Sequence, residues 1–413
     1  MSKVFTFGCR LNFWESNKIN QLLSTLDKKN LTVFNTCSVT NEAVKNTISS
    51  IKKFNIRNPK VKIIVTGCAV ETNFETFNNM KEVSFVVKNS QKLEEATWKI
   101  LPLEEKSENL HVKDCENLKK VNPSNSNVRK FVRIQNGCDH SCTFCIIPKC
   151  RGKSVSDSIE NINNDISFNL KKNIKEIILT GVDLTSWGSE LKKKLYLGDL
   201  IKEIFSRNND YFRLRLSSLD VAELDDTFFE VLKNDKRLMP HFHFSLQSLN
   251  NMILKRMKRR HSVEQVKLLF TKIRSMSSDV TFGADIITGF PTETEKMFLE
   301  TKRLIKELDI SHLHVFPYSE KDGTPAARMP QLPIEVRRSR AKELRRVGEE
   351  LHYKLLEKQI LNKHKVLVEN IRGEGRTENN FRVKLENNLK VSRGSIVEVI
   401  PSKIKSNYLI GKI

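Results

Sequence analysis

Short apolar runs alternate with segments of helical spacing over the first hundred residues. The apolar runs occupy residues 4–7, 31–34, 63–66 and 85–87. Between them, segments such as 15–27 and 41–54 repeat apolar residues at the spacing of an amphipathic helix. This alternation predicts a small parallel α/β domain, which we place at residues 1–105. The charged and polar composition of residues 106–127 is typical of a linker.

Six further strand candidates follow, separated by helical patterns. They are residues 131–135, 176–180, 212–216, 241–246, 281–287 and 312–316. Strand and helix alternating in this way are the signature of parallel βα units, so the sequence predicts a partial (β/α)6 barrel over residues 128–355. The loops after these strands are rich in polar residues and glycine, and the active site is expected among them.

The last segment, residues 356–413, changes character again. Its strand candidates are residues 365–370, 381–385, 396–401 and 408–413. Because they surround turn glycines, they predict a small all-β module, a five-stranded barrel of the kind that binds oligonucleotides. The basic helical segment 335–359 before it is interpreted as a solvated connection.

Composition narrows the class of protein. The 413 residues include 38% hydrophobic residues and 23 Phe, enough for several cores, which excludes a mainly disordered chain. Lys and Arg exceed Asp and Glu by 71 − 49 = 22, which indicates a polyanionic partner, most simply nucleic acid. The alternative is a biased genome, since the sequence is also rich in Asn, Ile and Lys. The sequence has no apolar run of 18 residues and no signal-peptide pattern at its start, so we expect a cytoplasmic protein without a membrane partner. In that reducing compartment, cysteines are expected as metal ligands or catalytic groups.

Cys138, Cys142 and Cys145 form a CxxxCxxC run in the loop after the first barrel strand. Three thiolates on one short loop can hold three irons of a [4Fe–4S] cluster and leave the fourth iron open to a small molecule. The alternative is a zinc site completed by His140 or Cys150, since structural zinc takes four ligands. The position of the run at the opening of a βα barrel favours the iron–sulfur cluster.

Cys9, Cys37 and Cys68 each follow a predicted strand of the first domain. The loops after neighbouring parallel strands converge at one edge of a sheet, so these three thiols can share one site. Taken singly, each could be a small buried residue at a strand end. Taken together, they predict a second cluster.

With both triplets in place, the sequence resembles the radical S-adenosylmethionine (SAM) methylthiotransferases of the MiaB, RimO and MtaB group over nearly its whole length. The segments 8–16, 35–43, 179–182, 213–218, 243–248 and 314–319 resemble the MtaB branch, which modifies threonylcarbamoyladenosine beside the tRNA anticodon. The resemblance implies two [4Fe–4S] clusters, SAM, and a terminal TRAM module. Cys138, Cys142 and Cys145 would hold the cluster that cleaves SAM, and Cys9, Cys37 and Cys68 an auxiliary cluster that carries the transferred sulfur.

The resemblance also implies replacement of the hydrogen on C2 of the adenine by a methylthio group. An aromatic C–H is too weakly acidic for a general base, so a radical route is chemically reasonable. The reaction needs a reductant and a sulfur donor as partners. Cys115 and Cys150 match no family ligand and are interpreted as free thiols.

Five residues are candidates for contacts with SAM. They are Gly181, Asp183, Ser217, Gln247 and Gly289, each of which follows a predicted strand and could equally be an ordinary loop residue. Asp183 stands where related sequences commonly have His, and Ala69-Val70-Glu71 replaces Tyr-Ala-Gln after the third auxiliary cysteine.

The RNA partner is expected to be a tRNA anticodon loop, because selective RNA recognition usually targets unpaired bases. The candidate contacts in the terminal module are Arg372, Arg376, Arg382, Lys384 and Arg393. Phe381 could be a stacking ring or a core residue, and we favour the core. Alternative functions are methylthiolation of isopentenyladenosine-37 in tRNA and a non-catalytic, metal-containing RNA-binding protein. A ribosomal-protein substrate is disfavoured because Arg10-Leu11 replaces the Pro-Lys that marks that branch.

Overall fold

The computed structural model describes residues 2–27, 30–101, 128–386 and 391–413. The predicted linker 106–127, with Cys115, lies outside the described residues. None of the helices in the described ranges combines the length and the apolar character that a bilayer crossing requires.

The N-terminal domain is a four-stranded parallel sheet in the order β1-β2-β3-β4 with helices on both faces. Its elements are β1 (Lys3–Thr6), α1 (Arg10–Thr25), β2 (Leu31–Thr36), α2 (Asn41–Arg57), β3 (Lys62–Gly67), α3 (Cys68–Thr72), α4 (Phe74–Asn78), β4 (Phe85–Val86) and α5 (Glu95–Ile100). All of β2 is buried, as expected of an apolar strand covered on both faces. Thr6 pairs with Asn35, and Asn35 with Thr66, so the strands end at one level. The loops that follow them therefore meet at one edge.

The central domain is a partial barrel of parallel strands, as predicted. Its elements are β5 (Arg129–Arg133), β6 (Gln135–Asn136), α6 (Ile147–Arg151), β7 (Val155–Ser156), α7 (Ile159–Lys171), β8 (Glu176–Thr180), α8 (Leu197–Arg207), β9 (Arg213–Leu216), β10 (Ser218–Leu219), α9 (Asp226–Asn234), β11 (His241–Gln247), α10 (Asn251–Arg256), α11 (Val263–Met276), β12 (Thr281–Thr288), α12 (Glu295–Glu307), β13 (Ile310–Pro317) and α13 (Ile334–Glu357). One sheet has the order β5-β8-β9 and the other β10-β11-β12-β13. Only Ser217 separates β9 from β10, so the third barrel strand connects the two sheets.

Helix α13 is packed against the barrel, which corrects its interpretation as a solvated connection. Its inner face buries Ala341, Leu344 and Val347. Two of its arginines are also buried. Arg340 donates to Glu293 at 2.7 Å, and Arg337 donates to the carbonyl of Leu332 at 2.8 Å. A count of basic residues does not reveal which arginines face inward. Arg337 and Arg340 can be buried because each forms an ion pair.

The C-terminal domain is a closed five-stranded barrel in the order β14-β15-β16-β18-β17. Its strands are β14 (His364–Val368), β15 (Glu374–Arg376), β16 (Arg382–Leu385), β17 (Ile396–Lys405) and β18 (Tyr408–Lys412). The sequence analysis did not identify β15, which has three residues and no apolar one besides glycine. Phe381 is fully buried, which confirms the core assignment.

The C-terminal barrel caps the amino-terminal ends of the central strands. Arg213 donates to the carbonyl of Lys365 at 2.8 Å and Arg215 donates to that of Thr377 at 2.7 Å. Thr281, the first residue of β12, donates to the carbonyl of Asn379 at 2.8 Å. The opposite, carboxyl-terminal ends of the central strands are thus left to face the N-terminal domain.

We predict that Phe381→Ala destabilises the C-terminal barrel by about 3–5 kcal/mol, because it opens a cavity in a closed core. The Phe381 ring also contacts the His312 and His352 rings, each with centroids 5.8 Å away, so its loss weakens the junction with the central domain. Hydrogen exchange of residues 364–412 should accelerate. Tyr353→Ala is the control, since that side chain is 48% exposed; equal exchange in the two variants would contradict the prediction.

Candidate active site

A cavity of about 600 Å³ lies between the N-terminal domain and the carboxyl-terminal ends of the central strands. Cys9 and Cys37 line it from the N-terminal domain, and Cys145 lines it from the central domain. Its apolar walls include Phe144 and Ile287. Members of both predicted cysteine triplets therefore open onto one space.

The N-terminal triplet is assembled by close approach of three loops. Gly8 has φ +92°, and a Cβ built on it would lie 2.6 Å from the Cys37 sulfur. Gly67 has φ +100°, and a Cβ there would overlap the carbonyl oxygen of Thr36. Both positions require glycine, because other residues disfavour this conformation and have no room.

Hydrogen bonds from one asparagine fix the same loops. The Asn12 side-chain amide donates to the carbonyls of Phe7 at 2.7 Å and Thr36 at 2.9 Å. Burial, with smaller contributions from the nearby Cys9 and Cys68, raises the pKa of the Cys37 thiol to about 12. The metal-free thiol is protonated at neutral pH, so a cluster must displace its proton on binding.

A buried ionic network lies behind this triplet and joins the two domains. Arg151 of α6 donates to the Cys68 sulfur at 3.2 Å, to Glu15 at 2.8 Å and to the Asn12 side chain at 2.7 Å. Lys92 pairs with the same Glu15 carboxylate at 2.5 Å. The side chains of Arg151, Glu15 and Lys92 are each no more than 2% exposed. The sequence analysis missed this network. In the sequence its members are ordinary charged residues, and nothing in their local pattern shows that they become buried.

The second triplet lies in the loop between β6 and α6. Backbone N–H groups donate to its sulfurs, from His140 to Cys138 and from Ile147 to Cys145, both at 3.4 Å. The Arg259 guanidinium donates to Cys142 at 3.5 Å. Donors aimed at sulfur stabilise thiolate ligands. The donor set therefore fits an iron–sulfur cluster.

The two residues proposed as a fourth zinc ligand have other partners. His140 Nε2 lies 2.5 Å from an Asp183 carboxylate oxygen, and this hydrogen bond raises the pKa of His140. Cys150 is buried, with its sulfur 3.5 Å from the Ser38 hydroxyl. Among the described residues, Cys138 lies with His140 and Asp183 in a group compact enough for one metal ion, but Cys142 and Cys145 lie outside that group, so the three cysteines and His140 do not form one closed zinc site.

Three of the five SAM candidates line the cavity, namely Gly181, Ser217 and Gln247. The buried Ser217 hydroxyl has no hydrogen-bond partner among the described residues. Gln247 has φ +65°, a strained conformation that is common at binding sites. An orphaned hydroxyl beside a strained backbone fits a polar ligand such as SAM.

Asp183 and Gly289 are not among the described residues that line the cavity. Asp183 accepts hydrogen bonds from Thr185 at 2.9 Å and Ser186 at 2.8 Å. A Cβ on Gly289 would lie 2.6 Å from the Arg337 side chain, so this glycine permits helix packing. Their roles as SAM contacts remain predictions.

The sequence analysis also missed a charged group inside the cavity. His243 and His314 both contact one Asp285 oxygen, at 3.0 and 3.2 Å, and Arg10 faces them. The signal was available, because polar residues at alternate positions of an otherwise apolar barrel strand face the lumen.

The predicted RNA contacts lie on the C-terminal barrel. Arg372, Arg382 and Lys384 are exposed. Arg376 is engaged within the domain, since its Nε lies 3.2 Å from Glu369, and Arg393 is half-buried. The structure thus presents the three exposed side chains to solvent at the end of the central barrel remote from the cavity.

Two family models match the chain. Residues 132–305 match the radical SAM superfamily, and residues 2–88 match the uncharacterized protein family UPF0004. The radical S-adenosylmethionine methyltransferase TsrM from Kitasatospora setae has a similar fold, with a TM-score of 0.50 and 14% identity over 77% of this chain and 68% of that one. The chain is therefore a radical SAM enzyme with an N-terminal UPF0004 domain.

Full-length relatives define the family further. The chain is 43% identical to the threonylcarbamoyladenosine tRNA methylthiotransferase MtaB of Rickettsia prowazekii, over 98% of this chain and 96% of that protein. It is 29% identical to the tRNA-2-methylthio-N(6)-dimethylallyladenosine synthase of Endomicrobium trichonymphae, over 99% of each. The chain belongs to the family of threonylcarbamoyladenosine tRNA methylthiotransferases. Its cofactors are SAM and two [4Fe–4S] clusters.

We predict that Gly8→Ala removes the N-terminal cluster, because the added methyl group would overlap Cys37. Iron content of anaerobically reconstituted protein should fall to about half that of the parent if one of two [4Fe–4S] clusters is lost. Gly323→Ala is a matched control, since Gly323 has φ +81° but no atom within 4 Å of an added Cβ. Parent-like iron content in Gly8→Ala would contradict the prediction.

We also predict a pH dependence from Glu15. Burial alone would raise its pKa, but Lys92 and Arg151 together hold the pKa at about 2, below its ordinary 4.5. Because the pKa is lower in the folded state, the ionised Glu15 carboxylate stabilises the fold fully above pH about 4.5. This contribution is lost as the pH falls to about 2 and the carboxylate takes up a proton. Glu15→Gln should cost the cluster-free chain about 3 kcal/mol at pH 7, with the difference closing in acid.

Urea unfolding of the cluster-free parent and variant from pH 7 to pH 2 measures this difference. Glu42→Gln, an exposed position on α2, serves as the control. A stability difference that stays constant with pH would exclude the ionic network as its cause.

Proposed function

We propose that the enzyme adds a methylthio group to C2 of N6-threonylcarbamoyladenosine at position 37 of tRNA, next to the anticodon. The observation that carries this proposal is the opening of two cysteine triplets onto one cavity. A reaction that both removes hydrogen and delivers sulfur needs two such centres within reach of one base. The full-length similarity to an enzyme named for this substrate supports the choice of nucleoside.

We assign the two clusters to the two triplets. Cys138, Cys142 and Cys145 would hold the cluster that binds SAM, and the N-terminal triplet would hold the auxiliary cluster. When bound, these groups supply a hydrogen-abstracting radical and a methylated sulfur. Each triplet would supply three cysteines to a cluster of four irons, so one iron would remain open to a small-molecule ligand.

The remaining cavity residues bind and shield the reactants. Ser217 can donate its free hydroxyl to SAM, and Gly181 lets its loop pack closely on Gln135, whose backbone oxygen would be 2.9 Å from an added Cβ. Phe144 and Ile287 exclude water, which protects a reactive radical from side reactions. The chain contributes position and exclusion, while the cofactors contribute the chemistry.

The target adenosine must leave its stack to enter the cavity, at a cost of a few kcal/mol that backbone contacts can offset. Arg372, Arg382 and Lys384 of the C-terminal barrel are the proposed phosphate contacts, with Arg376 and Arg393 as lesser ones. An external reductant and an external sulfur donor complete the cycle, because each turnover consumes electrons and one sulfur atom.

One complementation experiment tests the function. Cells that lack the gene would receive the parent, Cys142→Ala, Cys37→Ala or the control Cys150→Ala. Mass spectrometry of tRNA nucleosides should show methylthio-threonylcarbamoyladenosine only with the parent and the control. In vitro, Cys142→Ala should abolish SAM cleavage, whereas Cys37→Ala should retain some cleavage without sulfur insertion.

Three results would count against the proposal. If cells without the gene lack the methylthio-isopentenyl nucleoside instead, the substrate is isopentenyladenosine and not threonylcarbamoyladenosine. SAM cleavage by Cys142→Ala equal to that of the parent would remove the radical assignment. Bound zinc without acid-labile sulfide would favour a non-catalytic RNA-binding protein.

A further inference from the structure

The Arg10 guanidinium lines the cavity without a partner. Within residues 2–27, 30–101, 128–386 and 391–413, no hydrogen bond or ion pair engages its side chain. Arg10 is exposed where it borders this cavity, so its guanidinium can bond to a ligand without first breaking a bond within the protein. The side chain is therefore placed for a ligand.

The acids near Arg10 already have their own partners. Asp285 is shared by His243 and His314, at 3.0 and 3.2 Å. Glu176 is paired with Arg129 at 2.5 Å and with Arg215 at 2.9 Å. Within the described part of the chain, the acids nearest to Arg10 therefore form no ion pair with its guanidinium, which leaves its charge available to a ligand.

The group attached to N6 of the adenosine determines how strongly the substrate interacts with Arg10. A threonylcarbamoyl group carries a carboxylate, a hydroxyl and amide groups, whereas a dimethylallyl group is apolar. The planar guanidinium group of an arginine can donate two parallel hydrogen bonds to the two oxygens of a carboxylate. A carboxylate in the lumen would therefore gain a charge-assisted pair that an apolar group cannot make.

We propose that Arg10, assisted by His314, binds the carboxylate of the threonylcarbamoyl group and so selects the substrate. His314 is suited to this because its side chain is 61% exposed and borders the same cavity. This inference rests on the proposed function and names the residues that distinguish the enzyme's substrate from other N6-modified adenosines.

The placement also explains how recognition orients the reacting carbon. N6 and C2 of adenine lie on the same edge of the base, on either side of N1. Arg10 directly follows Cys9 in the chain, and Cys9 lines the same cavity. Anchoring the N6 group at Arg10 thus directs C2 towards the N-terminal triplet.

The test compares Arg10→Gln with the parent on anticodon stem-loops that carry threonylcarbamoyladenosine or its methyl ester, which lacks the charge. We expect Arg10→Gln to lower kcat/KM for the acid about 10–100-fold, mainly through KM, the loss typical of one charged hydrogen-bonding partner. The parent should prefer the acid to the ester, and Arg10→Gln should bind both alike. Arg10→Lys should restore part of the preference, because it keeps the charge without the fork.

Binding to the cluster-free chain, followed by fluorescence anisotropy, gives a second readout that does not depend on cluster assembly. Arg207→Gln, a change outside the cavity lining, is the control. If the parent makes the expected product while Arg10→Gln keeps the parent's preference for the acid over the ester, the inference fails and the function stands. If the parent modifies only the dimethylallyl substrate, both fail.

Discussion

The contact between Arg151 and its partners in the N-terminal domain is the constraint on which the active site depends. A buried guanidinium is tolerated only where its donors are satisfied, and here they reach Glu15, Asn12 and the Cys68 sulfur across the domain boundary. Separating the domains would take these partners from the Arg151 guanidinium, whereas Glu15 would keep Lys92. Together with contacts such as those of Asn41 with Ser319 and Lys321, the network holds the two cysteine triplets in the relative position that encloses the cavity.

The composite site follows from placing two α/β units with the carboxyl ends of their strands together. Each unit alone gathers polar loops and a cysteine triplet at that edge, as parallel sheets generally do. Facing each other, the edges enclose a space that neither could form alone. The division of chemistry between two metal centres thus has a simple structural origin in the polarity of parallel strands.

Most of this architecture could be predicted from the sequence, because it is encoded locally. Strand–helix alternation fixes the parallel barrel, and the position of each cysteine after a strand predicts the edge at which it lies. The partners of Arg151 and the pairing of Asp285 with His243 and His314 could not be found in this way, although the alternating polar positions could have placed the latter group in the lumen. Their roles depend on which side chains meet after folding, and a charged residue looks the same in sequence whether it is solvated or buried in a pair.

The same reason explains the errors at helix α13 and strand β15. Helix α13 was interpreted from its charge, but its burial is set by acidic partners on distant segments such as Glu293. Strand β15 has almost no apolar signal and exists because β14 and β16 pair with it on both sides. Pairing partners supplied by the rest of the chain override weak local preference.

The location of the C-terminal barrel has a consequence for how the RNA must lie. It covers the amino ends of the central strands, whereas the cavity opens at their carboxyl ends, and β13 alone spans eight residues, a rise of about 26 Å. A nucleic acid that touches both regions must run along the flank of the enzyme over at least that distance. The C-terminal barrel then binds one portion of the polynucleotide while the reaction takes place on another. A truncated substrate could therefore enter the cavity and still bind weakly.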